Sequence, residues 1–105
     1  MNDKLLSFIG LCRRANKLCY GFDAVTKSVN EKKAQLVLFA NDTSTHTISD
    51  IENVCKKCGV KTLTLGYKKE ELSLCIGKNC AVIAICDSGF ANKICELFEM
   101  TKEVK

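Results

Sequence analysis

The chain has no proline, a single histidine, and no low-complexity tract, internal repeat or linker-like stretch in its 105 residues. Without such punctuation no domain boundary suggests itself, and a chain of this length fits one compact domain, residues 1–105. No apolar run approaches the roughly 20 residues that a bilayer-crossing helix needs. Neither GxGxxG nor GxxxxGK[ST] is present, so no nucleotide-binding loop is indicated. The opening stretch, MNDKLLSFIGLCRRANK, has a short apolar core. Its early Lys4 sits beside Asp3, it lacks a small-residue cleavage site, and it closes on Arg13 and Arg14. That pattern argues against a signal peptide and predicts a cytoplasmic protein.

What the chain does have is cysteine. Eight thiols would suggest a disulfide framework in an exported protein, but nothing here indicates export. They read instead as small buried hydrophobes kept reduced. Cys55-Lys56-Lys57-Cys58 is the most tempting motif, because CxxC serves both zinc sites and redox pairs. A structural zinc needs four ligands, and Cys75 and Cys80 would have to be brought near to supply the rest. A redox pair wants CxxC at the start of a helix, whereas these cysteines end one and continue its apolar row, which favours core packing. His46 has no carboxylate pattern around it and lies near a helix start, so a surface or capping role is expected. Glu70-Glu71 reads as the solvated face of a short helix. No catalytic residue, metal or cofactor is predicted, and the protein is expected not to be an enzyme.

With 47% hydrophobic and 27% charged residues the composition is that of an ordinary globular protein. Apolar spacing predicts a helix from Asp3 to Arg14 with Leu5, Phe8, Ile9 and Cys12 inward. A short strand, Leu18–Tyr20, ends at Gly21, and a helix over Phe22–Glu31 places Phe22, Val25 and Val29 inward. Gln35–Ala40 (QLVLFA) is a continuous apolar run, the pattern of a strand buried on both faces. Asn41–Ser44 supplies turn and cap residues. A third helix, with Ile48, Ile51, Cys55 and Cys58 inward, stops at Gly59. Val60–Leu65 is a strand, and Lys68–Ile76 a helix with Leu72, Cys75 and Ile76 inward. Ala81–Cys86 (AVIAIC) is a second continuous apolar strand. Asp87 or Ser88 caps a last helix with Phe90, Ile94, Cys95 and Phe98 inward, and Met100–Lys105 is expected to fray. Strict alternation with two wholly apolar strands predicts an α/β fold, an α/β/α sandwich of about four strands.

The net charge of +4 is unevenly spread. Residues 4–33 carry +5, from Lys4, Arg13, Arg14, Lys17, Lys27, Lys32 and Lys33 against Asp23 and Glu31, and the remainder carries −1. Such asymmetry suits a phosphate-facing surface, although a solvated charged helix face has the same composition. Its centre is the turn at Gly21, where a strand leads into a helix whose first N–H groups and positive dipole end favour phosphate oxygens. Asp23 and Lys27, spaced i,i+4, project from the outward face. As an ordinary helix pair they would contribute only about 0.2–0.5 kcal/mol.

GLCRRANK at Gly10–Lys17, GFDAVTK at Gly21–Lys27, LVLFANDTS at Leu36–Ser44 and IGKNCAVIAICDSGFANKI at Ile76–Ile94, in this order and spacing, resemble the ribosomal L-seven-Ae/L-thirty-e family. The pattern is most similar to its bacterial YlxQ-type members. The resemblance spans nearly the whole chain and implies a three-layer sandwich around a four-stranded mixed sheet. It also implies binding of RNA, in particular the sharply bent kink-turn. In the family the helix after the first strand enters the widened groove with a pattern resembling Gly-x-Asn-Glu-x-Thr-Lys. Its Asn and Glu reach guanines of sheared G·A pairs, and a loop before the last strand packs apolar residues against an extruded nucleotide.

Carried onto this chain, Gly21, Thr26 and Lys27 match. Asp23 replaces Asn, keeping an acceptor but losing the amide donor, and Ala24 replaces Glu, removing the carboxylate that accepts from guanine. A bidentate base contact is worth about 1–3 kcal/mol of discrimination, so guanine selectivity should weaken. The loop Gly77-Lys78-Asn79-Cys80 is short and polar where kink-turn binders are apolar. The resemblance thus implies an RNA surface of Arg13, Arg14, Lys17, Gly21, Phe22, Asp23, Ala24, Lys27, Gly77, Lys78 and Asn79. The expected partners are ribosomal or kink-turn-like structured RNA and ribosomal proteins, with no membrane, for a monomer. The alternative is a protein-interaction module on the same fold with reduced RNA readout.

Overall fold

The two uninterrupted apolar runs become the two central strands of a four-stranded sheet. The computed structural model describes residues 4–103, in the order α1 (Lys4–Arg14), β1 (Leu18–Tyr20), α2 (Phe22–Asn30), β2 (Leu36–Phe39), α3 (Thr45–Cys58), β3 (Lys61–Thr64), α4 (Lys69–Ile76), β4 (Val82–Ile85) and α5 (Ser88–Glu103). The strand order is β1-β4-β2-β3. β4 runs antiparallel to both β1 and β2, with Cys19 opposite Ala84 and Val37 opposite Ala84, while β2 and β3 are parallel. The sheet is therefore mixed, and every residue of β2 and β4 is buried because helices cover both faces. Ladder bonds continue past the strand ends, as from Gln35 N–H to the Ile85 carbonyl (2.7 Å) and Cys86 N–H to the Lys17 carbonyl (2.8 Å).

Alternation along the strands sorts the core into two layers. Leu36, Leu38, Ile83 and Ile85 face α1, α4 and α5, where Leu5, Ile9, Leu72, Ile76 and Ile94 complete one cluster. Val37, Phe39, Val82 and Ala84 face α2 and α3, packed by Val25, Val29, Ile51 and Cys55. Helix ends follow local chemistry. Ser44 Oγ accepts from Thr47 N–H at 3.2 Å, and Gly59 closes α3 at φ 71°. Between the two residues expected to cap α5, Asp87 takes the role, with Oδ2 accepting from Phe90 N–H at 2.9 Å. Among the described residues no helix is long and apolar enough to cross a membrane.

Several expectations need correction. Phe22 does not join the inward row of α2. It is 43% exposed, whereas Val25 and Val29 are fully buried. Side chains on a helix tilt toward its N-terminus, so the first residue reaches back beyond the turn that the sheet supports. The last helix runs as far as Glu103, into the Met100–Lys105 stretch expected to fray, since neither proline nor glycine interrupts it. Residues 104–105, and Asp3 at the other end, lie outside the described residues. His46 does have a carboxylate partner, Asp50 one turn on at 3.3 Å. The expected core packing of Cys55 and Cys58 does hold: they pack in the α2/α3 layer, and the sheet separates them from Cys75 and Cys80 in the other.

Candidate nucleic-acid interface

Gly21 sits at φ 93°, ψ 154°, a region essentially restricted to glycine, and an added Cβ would meet nothing within 4 Å. The requirement is thus conformational rather than steric. This backbone turns the chain from β1 into α2 at once, and the Gly21 carbonyl accepts the first helical bond from Val25 N–H at 3.0 Å. No side chain caps the helix start, so the amides of its first turn are left to outside acceptors. Thr26 holds that turn together, its Oγ1 lying 3.0 Å from the carbonyls of both Phe22 and Asp23. Phe22, Asp23, Ala24 and Lys27 are all exposed around it. Among the described residues no ion pair joins Asp23 to Lys27, leaving the ammonium for another anion.

The opposite face of the turn is tied to the sheet, where Gly21 N–H donates to the Val82 carbonyl at 3.0 Å. Val82 opens β4 just after the Gly77–Cys80 loop, and two residues of extended chain span about 7 Å. The antiparallel β1–β4 pairing therefore brings the helix start and the loop to one end of the sheet. Ser73 braces the loop. Its Oγ accepts from Cys80 N–H at 3.0 Å and lies 3.4 Å from Asn79 Oδ1. Gly77 reverses the chain at φ 88°. Lys78 and Asn79 stay exposed beside an open groove of about 530 Å³ that Asp42, Lys69 and Glu70 also line.

The remaining basic residues divide. The Arg13 guanidinium lies 5.3 Å from the Tyr20 ring centroid, which carries it toward the Gly21 end of β1. Lys17 lies at the other end of that strand, opposite Cys86, and Arg14 is exposed at the end of α1. Lys33 pairs with Glu31 at 3.4 Å and is in part neutralised. Of the eleven residues the sequence singles out, six gather at the Gly21–Val82 end, namely Gly21, Phe22, Asp23, Gly77, Lys78 and Asn79, while Ala24 and Lys27 line a pocket with Asn16, Leu18 and Cys86 toward the other end of β1. Arg13 reaches toward the first group, Lys17 stands between Asn16 and Leu18 of that pocket, and Arg14 is exposed at the end of α1.

Leu74 escaped the sequence reading. It is 82% exposed on the wall of the groove beside Lys78, an apolar surface next to a loop that reads as wholly polar. The signal was there in its register, one position off the inward Leu72, Cys75 and Ile76. Burial pushes Cys12, Cys19 and Cys55 up to about 11, so they stay protonated. Among the described residues no three His, Cys, Asp or Glu side chains come together to hold a metal.

A family model described as "Ribosomal protein L7Ae/L30e/S12e/Gadd45 family" matches residues 3–95. The chain is 33% identical over 96 residues to the RNA-binding protein YlxQ of Bacillus subtilis (strain 168), covering 87% of this chain and 91% of that protein. It is 34% identical over 96 residues to the RNA-binding protein YlxQ of Enterococcus faecium, covering 91% and 92%. Among solved structures, a protein of unknown function from Bacillus halodurans superposes with a TM-score of 0.87 at 30% identity, over 93% of this chain and 99% of that one. The Giardia lamblia 15.5kD RNA binding protein shares the fold with a TM-score of 0.76 at 20% identity, over 97% and 91%.

Proposed function

The chain belongs to the ribosomal protein L7Ae/L30e/S12e/Gadd45 family, and from that membership we propose that it is a non-enzymatic RNA-binding protein. As a single cytoplasmic domain without cofactor or metal, it docks the start of α2 and the Gly77–Cys80 loop onto structured, kink-turn-like RNA of the ribosome or another ribonucleoprotein. The observation that carries this reading is the Gly21–Val82 bond, which sets a helix start uncapped by any side chain beside a loop bearing an exposed Lys and Asn. Amides and the helix dipole take phosphate oxygens, and Lys27 and Lys78 add point charges. Shape and backbone contacts supply most of the affinity, because Asp23 and Ala24 offer little base readout. Names borne by the relatives, both RNA-binding proteins, support the reading.

Salt titration against a kink-turn RNA and an unbent duplex tests it. Preference for the bent RNA, and a salt slope that flattens by about 0.7–0.9 for each of Lys27→Ala and Lys78→Ala, are expected. No binding to either RNA at low salt overturns the proposal.

A further inference from the structure

Among the described residues, four large apolar side chains are exposed, and two of them share one place. Leu11 (42% exposed) and Met100 (52%) both line a groove of about 420 Å³ between α1 and α5, together with Phe8 and Leu97. It lies in the layer opposite α2 and α3, away from the Gly21 turn. Among the described residues its charged lining is of one sign: Lys4, Arg14 and Lys93 border it and no carboxylate does, although Lys93 is in part neutralised by Glu96 at 3.2 Å.

The spacing adds the shape. On α1 the lining residues Lys4, Phe8, Leu11 and Arg14, and on α5 Lys93, Leu97 and Met100, recur every three or four positions. Each helix thus presents a single face, and two such faces bound a groove that a third helix fills by interdigitation. The α1 face spans eleven residues, Lys4 to Arg14, about 15 Å or three turns. An RNA strand is a poorer fit. The Phe8 ring is engaged edge-on with Phe90 at 5.3 Å and 66°, and Leu11, Leu97 and Met100 offer neither an aromatic face nor a hydrogen bond to a base.

We propose that this groove docks an acidic amphipathic helix of a partner protein, about three turns long. Its apolar face covers Leu11, Met100, Phe8 and Leu97, and its flanking carboxylates meet Lys4 and Arg14, since Lys93 already pairs with Glu96. The proposal is independent of RNA binding and gives the chain a second working surface.

Isotope-labelled full-length protein, titrated with a synthetic helical peptide of about 15 residues, tests it directly. The peptide carries leucines on one face and glutamates on the flanks, and a control replaces every glutamate by lysine. Amide shifts confined to α1 and α5 are expected, with binding at least about tenfold weaker for the lysine peptide. Leu11→Glu or Met100→Glu should weaken the glutamate peptide about tenfold while leaving RNA affinity and thermal unfolding unchanged. Equal binding of both peptides, shifts centred on α2, or no shift at millimolar peptide overturns the proposal. So does shifting of the Leu11 and Met100 amides by RNA. Sedimentation showing a dimer that Leu11→Glu abolishes would assign the groove to a second copy of this chain, and would equally overturn it.

Discussion

Gly21 N–H donates to the Val82 carbonyl at 3.0 Å, and this one bond joins the start of α2 to the strand that the Gly77–Cys80 loop feeds. The two parts of the proposed RNA surface lie far apart in sequence, and the antiparallel β1–β4 ladder makes them neighbours. Because Gly21 holds φ 93° and ψ 154°, any side chain there strains the backbone. Gly21→Ala is expected to cost about 1–3 kcal/mol, read as a lowered urea midpoint with unchanged slope. RNA affinity should fall by more than stability alone explains, because the helix start is re-aimed.

Phe22 is exposed beside the same turn, so its removal separates binding from folding. Phe22→Ala should change stability by no more than about 0.5 kcal/mol. It should weaken RNA binding by about 1–3 kcal/mol if the ring stacks on a base. Calorimetry of binding and chemical denaturation of the same variant distinguish the two effects.

Base selectivity tests the two departures from the family pattern. The double change Asp23→Asn with Ala24→Glu restores an amide donor and a guanine-facing carboxylate on exposed positions. Discrimination between a kink-turn and its G·A-disrupted counterpart should rise by about 1–3 kcal/mol, measured by competition binding.

The buried thiols make stability fall in alkali. Burial raises Cys12 and Cys55 from 9.0 to about 11 in the folded chain, so the unfolded chain loses these protons first. Their contribution is complete below about pH 9 and is lost as pH climbs through about 11, on the order of 2 kcal/mol for each. Thermal unfolding followed by circular dichroism at pH 7, 9 and 10.5 should show the decline. Cys55→Ala should make it shallower.

Much of the fold was legible because its strongest signals are local. QLVLFA and AVIAIC could only be buried on both faces, and they proved to be the central strands. Gly59 and Gly77 marked helix ends that need left-handed backbone. Apolar periodicity tells which face of a helix is greasy and not where the supporting sheet stops, which is why it does not reveal the exposure of Phe22. His46 and Asp50 stand at the i,i+4 spacing that pairs them, so that contact is legible in the sequence. The splitting of the site was beyond local reading. Lys17 enters β1 at the end away from Gly21, and only the packing of α2 against the sheet brings Ala24 and Lys27 into one pocket with its neighbours Asn16 and Leu18.

The most direct test is ultraviolet crosslinking of the protein to RNA in cells, with the attached peptides mapped by mass spectrometry. The account predicts RNA adducts in the segment spanning Phe22 to Lys27 and in the Gly77–Cys80 loop, both lost from a Gly21→Ala variant that remains folded. Adducts confined to α3 and β3, or none at all, would contradict it.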